Sequence, residues 1–157
     1  MELLVVKADP VANTQLMFLC TGNSCRSQMA EGWARYLYPE TVQVFSAGLE
    51  AQGVNPFAVE VMAEVGVDIS KQESNSIEQL QSKRFDLVAT VCDHAQRHCP
   101  VLVGSTMIHH SFDDPPKLAA KLADRELQLD CYRRVRDQIK VWVLGLKTDI
   151  HLSKDNK

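Results

Sequence analysis

The segment LMFLCTGNSCRSQMAE, residues 16–31, decides the predicted fold because it joins a strand to a helix through a polar loop. Its first four residues form a continuous apolar run, which is typical of a buried strand. Beyond the loop, Met29, Trp33 and Leu37 recur at four-residue steps and so mark one face of a helix. We therefore expect a β-strand, a loop and an α-helix in direct succession.

The polar loop is a predicted anion-binding site. Its backbone N–H groups and the positive end of the helix dipole converge on one point, where Arg26 adds paired donors that suit a tetrahedral oxyanion. The same field favours the thiolate form of Cys20, and a thiolate is a nucleophile for covalent catalysis. Gly22 and Asn23 permit the backbone angles of a tight bend, and Ser27 can hydrogen-bond the thiolate. The predicted substrate-binding residues are Thr21, Gly22, Asn23, Ser24, Cys25, Arg26 and Ser27.

Length and charge restrict the class of protein. The chain has 157 residues, which suits a single domain with a sizeable core. We predict one catalytic domain over residues 16–157, preceded by an N-terminal extension of residues 1–15 that carries no chemistry. The 17 basic and 20 acidic residues give a net charge of -3, which favours neither nucleic acid nor an anionic membrane as a partner.

The N-terminal segment and the cysteine count indicate the cellular compartment. The segment MELLVVKADP has only four consecutive apolar residues and no basic start, so we expect neither a signal peptide nor a membrane span. A cytoplasmic protein follows. The five cysteines are an odd number, which favours reactive or buried thiols over a structural disulfide framework.

Strand and helix patterns alternate after the first helix. Alternating apolar and polar residues predict a second strand over residues 42–46. The next helix begins with Asn55 as its N-cap and Pro56 in its first turn, and it ends at Gly66. A capping box predicts a further helix from Ser76 to Lys83.

The second half of the chain continues this order. Strands are predicted over residues 86–91 and 106–109, a rigid turn over 112–116, and a long closing helix with the apolar stripe Tyr132, Val135, Ile139, Trp142 and Leu146. This α/β order predicts a three-layer α-β-α sandwich around a four-stranded parallel sheet. Ligands in such folds bind beyond the carboxyl ends of the strands, where Cys20, Cys92 and Asp114 fall.

The segment CTGNSCRSQMAEG, residues 20–32, resembles the arsenate reductases that share the low-molecular-weight protein tyrosine phosphatase fold. The resemblance extends from about Leu16 to Leu146. It implies a phosphatase-like fold and an enzyme that reduces arsenate to arsenite for arsenic detoxification, with no cofactor. It also implies that Cys20 is the nucleophile and that Arg26 helps to bind arsenate.

A second resemblance concerns VCDHAQRHCP, residues 91–100. In thioredoxin-coupled arsenate reductases a second and a third cysteine resolve the adduct on the first, which implies these roles for Cys92 and Cys99. The sequence does not distinguish thioredoxin from glutaredoxin or a small thiol as the reductant. Six residues separate the two cysteines, too many for a zinc knuckle, so we expect no metal there. His94 and His98 are interpreted as exposed residues.

The remaining candidate for catalysis is an aspartate that precedes a proline. On sequence alone such an aspartate is most often a turn former. The resemblance implies that Asp114 is the general acid, because phosphatases of this fold carry theirs in an Asp-Pro loop, and it favours Asp114 over Asp113. Cys25 and Cys131 are interpreted as packing thiols.

Some members of the family bind potassium through residues that match Asn23, Glu31, Ser46 and an aspartate. That aspartate is Asn75 in this chain. Loss of a carboxylate weakens a cation site built from oxygen ligands, so we expect no potassium site. The matching residues are then expected to be structural, with Asn23 bracing the loop and Glu31 reaching back towards it.

The sequence also permits two alternative functions. One is a low-molecular-weight tyrosine phosphatase, a family that carries proline after Arg-Ser and aromatic residues after Asp-Pro. This chain has Gln28, Pro116 and Lys117 at those positions. The other is a non-catalytic redox sensor that uses the 92–99 cysteine pair, which would leave the loop and the general acid idle. The sequence leaves the oligomeric state open.

Overall fold

A computed structural model of the chain describes residues 13–100, 102 and 104–155. Its strands are β1 (Thr14–Cys20), β2 (Val42–Gly48), β3 (Leu87–Thr90) and β4 (Thr106–His109). Its α-helices are α1 (Arg26–Leu37), α2 (Pro56–Glu64), α3 (Asp93–His98), α4 (Pro115–Ala119), α5 (Arg125–Leu144) and α6 (Lys147–Asp155). Residues 1–12 of the predicted N-terminal extension lie outside the described residues, but Thr14 and Gln15 belong to β1, so the prediction that the extension reaches residue 15 is wrong. Within the described ranges, no helix is long and apolar enough to span a membrane.

The four strands form one parallel sheet in the order β2-β1-β3-β4. In β1, residues 16–19 are all fully buried. Successive side chains of a strand point to opposite faces, so helices cover both faces of the sheet. The predicted three-layer α/β fold is therefore confirmed, and β1 occupies the centre with Cys20 at its carboxyl end.

Local sequence signals locate several element boundaries correctly. The Asn55 side chain caps α2 by accepting hydrogen bonds from the Phe57 and Ala58 N–H groups. Gly66, which follows the C-cap Val65 of that helix, adopts a positive φ of 80°, which glycine tolerates without strain. The strand predicted over residues 106–109 is β4, with the same boundaries.

Two further predicted boundaries are wrong. The helix expected from Ser76 to Lys83 is only a 3-10 turn over Ile77–Leu80, although its capping box is present. Residues 81–84 are exposed, so they have no apolar face whose burial would extend the helix. The predicted turn over residues 112–116 contains the start of α4, whose N-cap is Asp114. Pro115 is the first helical residue, where a backbone N–H would have no partner within the helix, so proline costs nothing there.

The predicted closing helix is in fact two helices. The first, α5, ends with Gly145 as its C-cap, and α6 follows from Lys147. Leu146 and Ile150 are buried, and α6 packs against β1 and β3. The change of direction after Gly145 allows α6 to bury these residues against the sheet.

Candidate active site

The loop between β1 and α1 forms the centre of the site. Cys20 is buried, and its Sγ lies 2.8 Å from the Ser27 Oγ atom on the first turn of α1. Backbone N–H groups of the 49–55 segment donate to the carbonyls of the loop residues Cys20, Thr21, Gly22 and Ser24. With these carbonyls held on the outside, the loop turns its N–H groups inward, which is the arrangement that binds an oxyanion.

Asn23 braces the loop. It is the only non-glycine residue with a positive φ, 47°, among the described residues, and asparagine tolerates this left-handed conformation. Its side-chain amide donates to Ser27 Oγ at 2.9 Å and to Ser46 Oγ at 2.8 Å, and its Oδ1 accepts from the Asn75 N–H at 2.7 Å. Because Ser27 contacts Cys20, Asn23 orients the hydroxyl that contacts the nucleophile.

The residues that match family potassium ligands do not fit a potassium ion in this chain. Glu31 accepts hydrogen bonds from Ser46 Oγ at 2.9 Å and from the Arg35 guanidinium at 3.3 Å. Burial raises the pKa of the Glu31 carboxyl, which opposes its charged form, and Arg35 partly offsets this effect. The Asn75 side chain donates to the Glu73 carbonyl and brings no negative charge. Arg35 therefore supplies the positive charge beside Glu31.

Gln28 supports the loop in a way that sequence reasoning missed. Its buried side chain donates to the carbonyls of Asn23 and Glu73, each at 3.0 Å, and accepts from Gln72 at 2.8 Å. The only sequence feature that could have indicated this role is that Gln28 stands where phosphatases of this fold carry a proline. A proline here could not donate these hydrogen bonds, so Gln28 ties the loop to the 72–75 segment.

Arg26 and Asp114 meet across the mouth of the loop. One guanidinium nitrogen of Arg26 donates to the Phe112 carbonyl at 3.1 Å, and another lies 3.8 Å from Asp114 Oδ1. They face a cavity of about 350 Å³. Its described lining residues are Cys20, Thr21, Gly22, Ser24, Cys25, Arg26, Gln52, Asn55, Asp114 and Pro116. None of these is aromatic, so the cavity suits a small oxyanion better than an aryl group.

Cys92 lies beside the loop that carries Cys20. Its Sγ is 3.4 Å from Thr21 Oγ1 and accepts a hydrogen bond from the Ala95 N–H, also at 3.4 Å. Cys99 follows α3 at its other end, where it is half-buried, and burial raises the pKa of its thiol. The structure thus places the second thiol at the loop and the third at the far end of a short helix.

The geometry gives no catalytic role to the other candidate metal ligands and thiols. His94 and His98 are exposed on α3, as predicted, with ring centroids 4.4 Å apart. Burial raises the pKa of the Cys25 thiol well above its ordinary value, which suits a packing role. Cys131 is half-buried on α5. In the described ranges, no three histidine, cysteine or acidic side chains form a group that could hold a metal ion.

This geometry supports nucleophilic chemistry on a tetrahedral oxyanion. It brings together a cysteine within a loop of N–H donors, a guanidinium, and a carboxyl group that lines the same cavity. A second buried thiol contacts the same loop, and all five cysteines are free thiols. Transfer to a nucleophilic sulfur followed by thiol exchange is therefore chemically accessible.

Comparisons with known proteins agree with this geometry. The family model described as low molecular weight phosphotyrosine protein phosphatase matches residues 15–156. An arsenate reductase from Halalkalibacterium halodurans is 50% identical over 125 residues, which cover 79% of this chain and 88% of that protein.

Solved structures show the same similarity. An arsenate reductase in the phosphate-binding state is 37% identical, with a TM-score of 0.70, and the match covers 87% of this chain and 98% of that one. An arsenate reductase in an oxidised state is 35% identical, with a TM-score of 0.69 and the same coverage.

Proposed function

The chain belongs to the arsenate reductases of the low molecular weight phosphotyrosine protein phosphatase family, and from this premise we propose that it reduces arsenate to arsenite by a relay of three thiols. In this proposal Cys20 is the nucleophile, Cys92 and Cys99 resolve its adduct, and thioredoxin is the final reductant. A dithiol reductant of this kind implies the reducing environment of the cytoplasm.

The first step forms an arsenic adduct on Cys20. Arsenate binds to the loop N–H groups and to Arg26, and the Cys20 thiolate attacks the arsenic atom. An S–As bond forms as one As–O bond breaks. Asp114 donates a proton to the departing oxygen, which leaves as water. Asp114 lines the same cavity as Cys20 and lies 3.8 Å from Arg26, which supports this role.

The second step reduces arsenic. The Cys92 thiolate attacks Cys20 Sγ, an S–S bond forms, and the S–As bond breaks with its electron pair remaining on arsenic. Arsenic(V) becomes arsenic(III) and leaves as arsenite, while the two sulfurs are oxidised to a Cys20–Cys92 disulfide. The contact between Cys92 and Thr21 supports this step, because it holds the second thiol beside the loop that carries the first.

The third step regenerates Cys20. The Cys99 thiolate attacks Cys92 Sγ, and Cys20 leaves as a thiolate. The helix α3 between the two cysteines makes five steps of about 1.5 Å from Asp93 to His98, so it extends about 7.5 Å by itself, whereas a disulfide tolerates about 7 Å between the Cα atoms of its cysteines. The intervening helix α3 must therefore unwind. Of its six residues only Ala95 is buried, so little packing opposes the change.

The unwound segment would also expose the product of the relay. A Cys92–Cys99 disulfide in an exposed, strained segment is accessible to a reductant protein, whose dithiol reduces it by two successive exchanges. Those exchanges transfer two electrons to the disulfide and leave the reductant as a disulfide. The same motion would then complete the cycle and present its product for reduction.

An activity comparison tests the proposed function. Arsenite release should be followed with thioredoxin, with glutaredoxin and with a small thiol as the sole reductant, beside hydrolysis of a small aryl phosphate. We expect multiple turnovers of arsenate with thioredoxin and only weak phosphatase activity. Efficient aryl phosphate hydrolysis without arsenite release would instead indicate the phosphatase alternative, which the cavity without aromatic lining disfavours.

A further inference from the structure

His109 has both of its ring nitrogens engaged, and the proposed chemistry gives it no role. Its Nδ1 lies 2.7 Å from Thr90 Oγ1, and its Nε2 lies 3.0 Å from Asp93 Oδ1. These three residues come from three elements, because Thr90 ends β3, His109 ends β4 and Asp93 begins α3. His109 therefore connects the edge of the sheet to the helix that joins the two resolving cysteines.

The hydrogen-bond partners determine which ring nitrogen of His109 donates to Asp93. The Asp93 carboxylate can only accept, so Nε2 carries a proton. In the neutral ring Nδ1 then accepts from the Thr90 hydroxyl at 2.7 Å, in preference to the 3.5 Å contact of that hydroxyl with the Ile108 carbonyl. If the ring is protonated, both nitrogens donate and the contact with Asp93 gains an ionic component. In either state Nε2 donates to Asp93. Thr90 is buried, so it holds the ring in one orientation.

The hydrogen bond between His109 and α3 is made at the first residue of the helix, Asp93. Asp93 directly follows Cys92, so His109 anchors the helix beside the thiol that contacts the loop. The last three residues of the helix, 96–98, are all exposed, and buried Ala95 belongs to the first turn. Unwinding therefore meets less resistance at the Cys99 end than at the Cys92 end.

We propose that His109 is a positioning residue for the second step of the relay. It holds the Cys92 end of α3 at the loop during attack on Cys20, so the Cys99 end is the part that unwinds and moves. This inference rests on the proposed function. The hydrogen bond from His109 also lowers the pKa of the Asp93 carboxyl, which favours its ionised form as the acceptor.

The expected effect is moderate, because the Asp93 side chain is 62% exposed and water screens the contact. In a Cys99→Ser background the relay should stop at the Cys20–Cys92 disulfide, so one turnover isolates the second step. We expect His109→Ala to slow formation of that disulfide by about three- to fivefold. Rapid acid quench with mass spectrometry of trapped thiols measures the rate.

Three comparisons separate positioning from general damage to the fold. Hydrolysis of a small aryl phosphate uses Cys20 without Cys92, so His109→Ala should leave it unchanged. His109→Gln can place an amide N–H near the former Nε2 and should restore part of the rate. His151→Gln changes an exposed histidine on α6 and should have no effect. Equal loss of disulfide formation and aryl phosphate hydrolysis in His109→Ala would overturn the inference.

A double-mutant cycle tests the contact itself. Asp93→Ala should slow disulfide formation about as much as His109→Ala, and the double variant should be no slower than either. Amide hydrogen exchange of residues 94–96 should be faster in both single variants of the reduced enzyme. Additive effects of the two substitutions, or unchanged exchange, would overturn the inference.

The same experiments distinguish failure of this inference from failure of the proposed function. If the wild-type chain reduces arsenate without forming a disulfide between Cys20 and Cys92, the relay itself is wrong. If the wild-type relay operates and His109→Ala forms the disulfide at the wild-type rate, only the positioning role of His109 is wrong.

Discussion

The Cys92 Sγ atom lies 3.4 Å from the Thr21 Oγ1 atom, although 71 positions separate the two residues in the chain. Thr21 follows the nucleophile Cys20, so the second thiol contacts the loop that would hold the arsenic adduct. This contact becomes possible because β1 and β3 are adjacent and parallel, which brings their carboxyl ends together. The proposed transfer from Cys20 to Cys92 depends on it.

Replacement of Thr21 tests the contact directly. Thr21→Val keeps the shape of the side chain but removes the hydroxyl, so Cys92 loses a hydrogen-bond partner near the loop. We expect arsenate turnover to fall about fivefold, which corresponds to about 1 kcal/mol. Thr21→Ser retains the hydroxyl and serves as the matched control. Equal rates for the two variants, measured by arsenite release, would exclude a role for the hydroxyl.

Replacement of Cys92 should separate two activities of the same site. Cys92→Ser should abolish arsenate reduction, because no second thiol can expel arsenite. Hydrolysis of a small aryl phosphate should continue, since water can resolve a phosphocysteine on Cys20. Cys131→Ser is the control and should alter neither activity. If Cys92→Ser removes both activities equally, the proposed division between Cys20 and Cys92 is incorrect.

Replacement of Arg26 should affect the binding of the oxyanion. Arg26→Lys keeps the positive charge but removes the planar pair of donors and the hydrogen bond to the Phe112 carbonyl. We expect kcat/KM for arsenate to fall about a hundredfold, the usual cost of one lost oxyanion donor. Arg97→Lys, at an exposed position of α3, is the control. Unchanged kcat/KM in Arg26→Lys would show that Arg26 does not bind the substrate.

The third step should accelerate as pH rises. Burial raises the pKa of the Cys99 thiol above its ordinary value, so the reactive thiolate is scarce at neutral pH. Formation of the Cys92–Cys99 disulfide should therefore increase about tenfold per pH unit below that pKa. Acid-quenched single turnovers between pH 6 and 8 measure this dependence. A rate of disulfide formation that does not change with pH would show that the thiolate fraction of Cys99 does not limit the step.

Replacement of Asn23 should destabilise the site and the fold together. Asn23→Ala removes the hydrogen bonds to Ser27, Ser46 and Asn75 and places a residue without asparagine's tolerance at a positive φ. We expect a loss of about 1–3 kcal/mol in the free energy of unfolding. Asn23→Gly should be less harmful, because glycine tolerates this φ. Urea denaturation measures both, and an equal loss in the two variants would contradict a backbone contribution at Asn23.

Features that depend only on neighbouring residues were predictable before the fold was known. An apolar run, a polar loop and a four-residue helical repeat predicted β1, the loop and α1, because backbone geometry imposes these periods locally. The same kind of signal located the Asn55 cap and β4. It could not show that Gly145 ends α5, because the reason is the burial of Leu146 and Ile150 against a distant sheet.

The contacts between side chains that are distant in the chain could not be predicted in this way. The hydrogen bonds of Gln28 to the 72–75 segment, the pairing of Glu31 with Ser46, and the connection of His109 to Asp93 all join different elements. Such contacts form only if the register of adjacent strands and the packing of the helices are correct to within less than the width of one residue. Local periodicity carries no information on these distances, so the supports around the nucleophile and the resolving thiol became visible only in the folded chain.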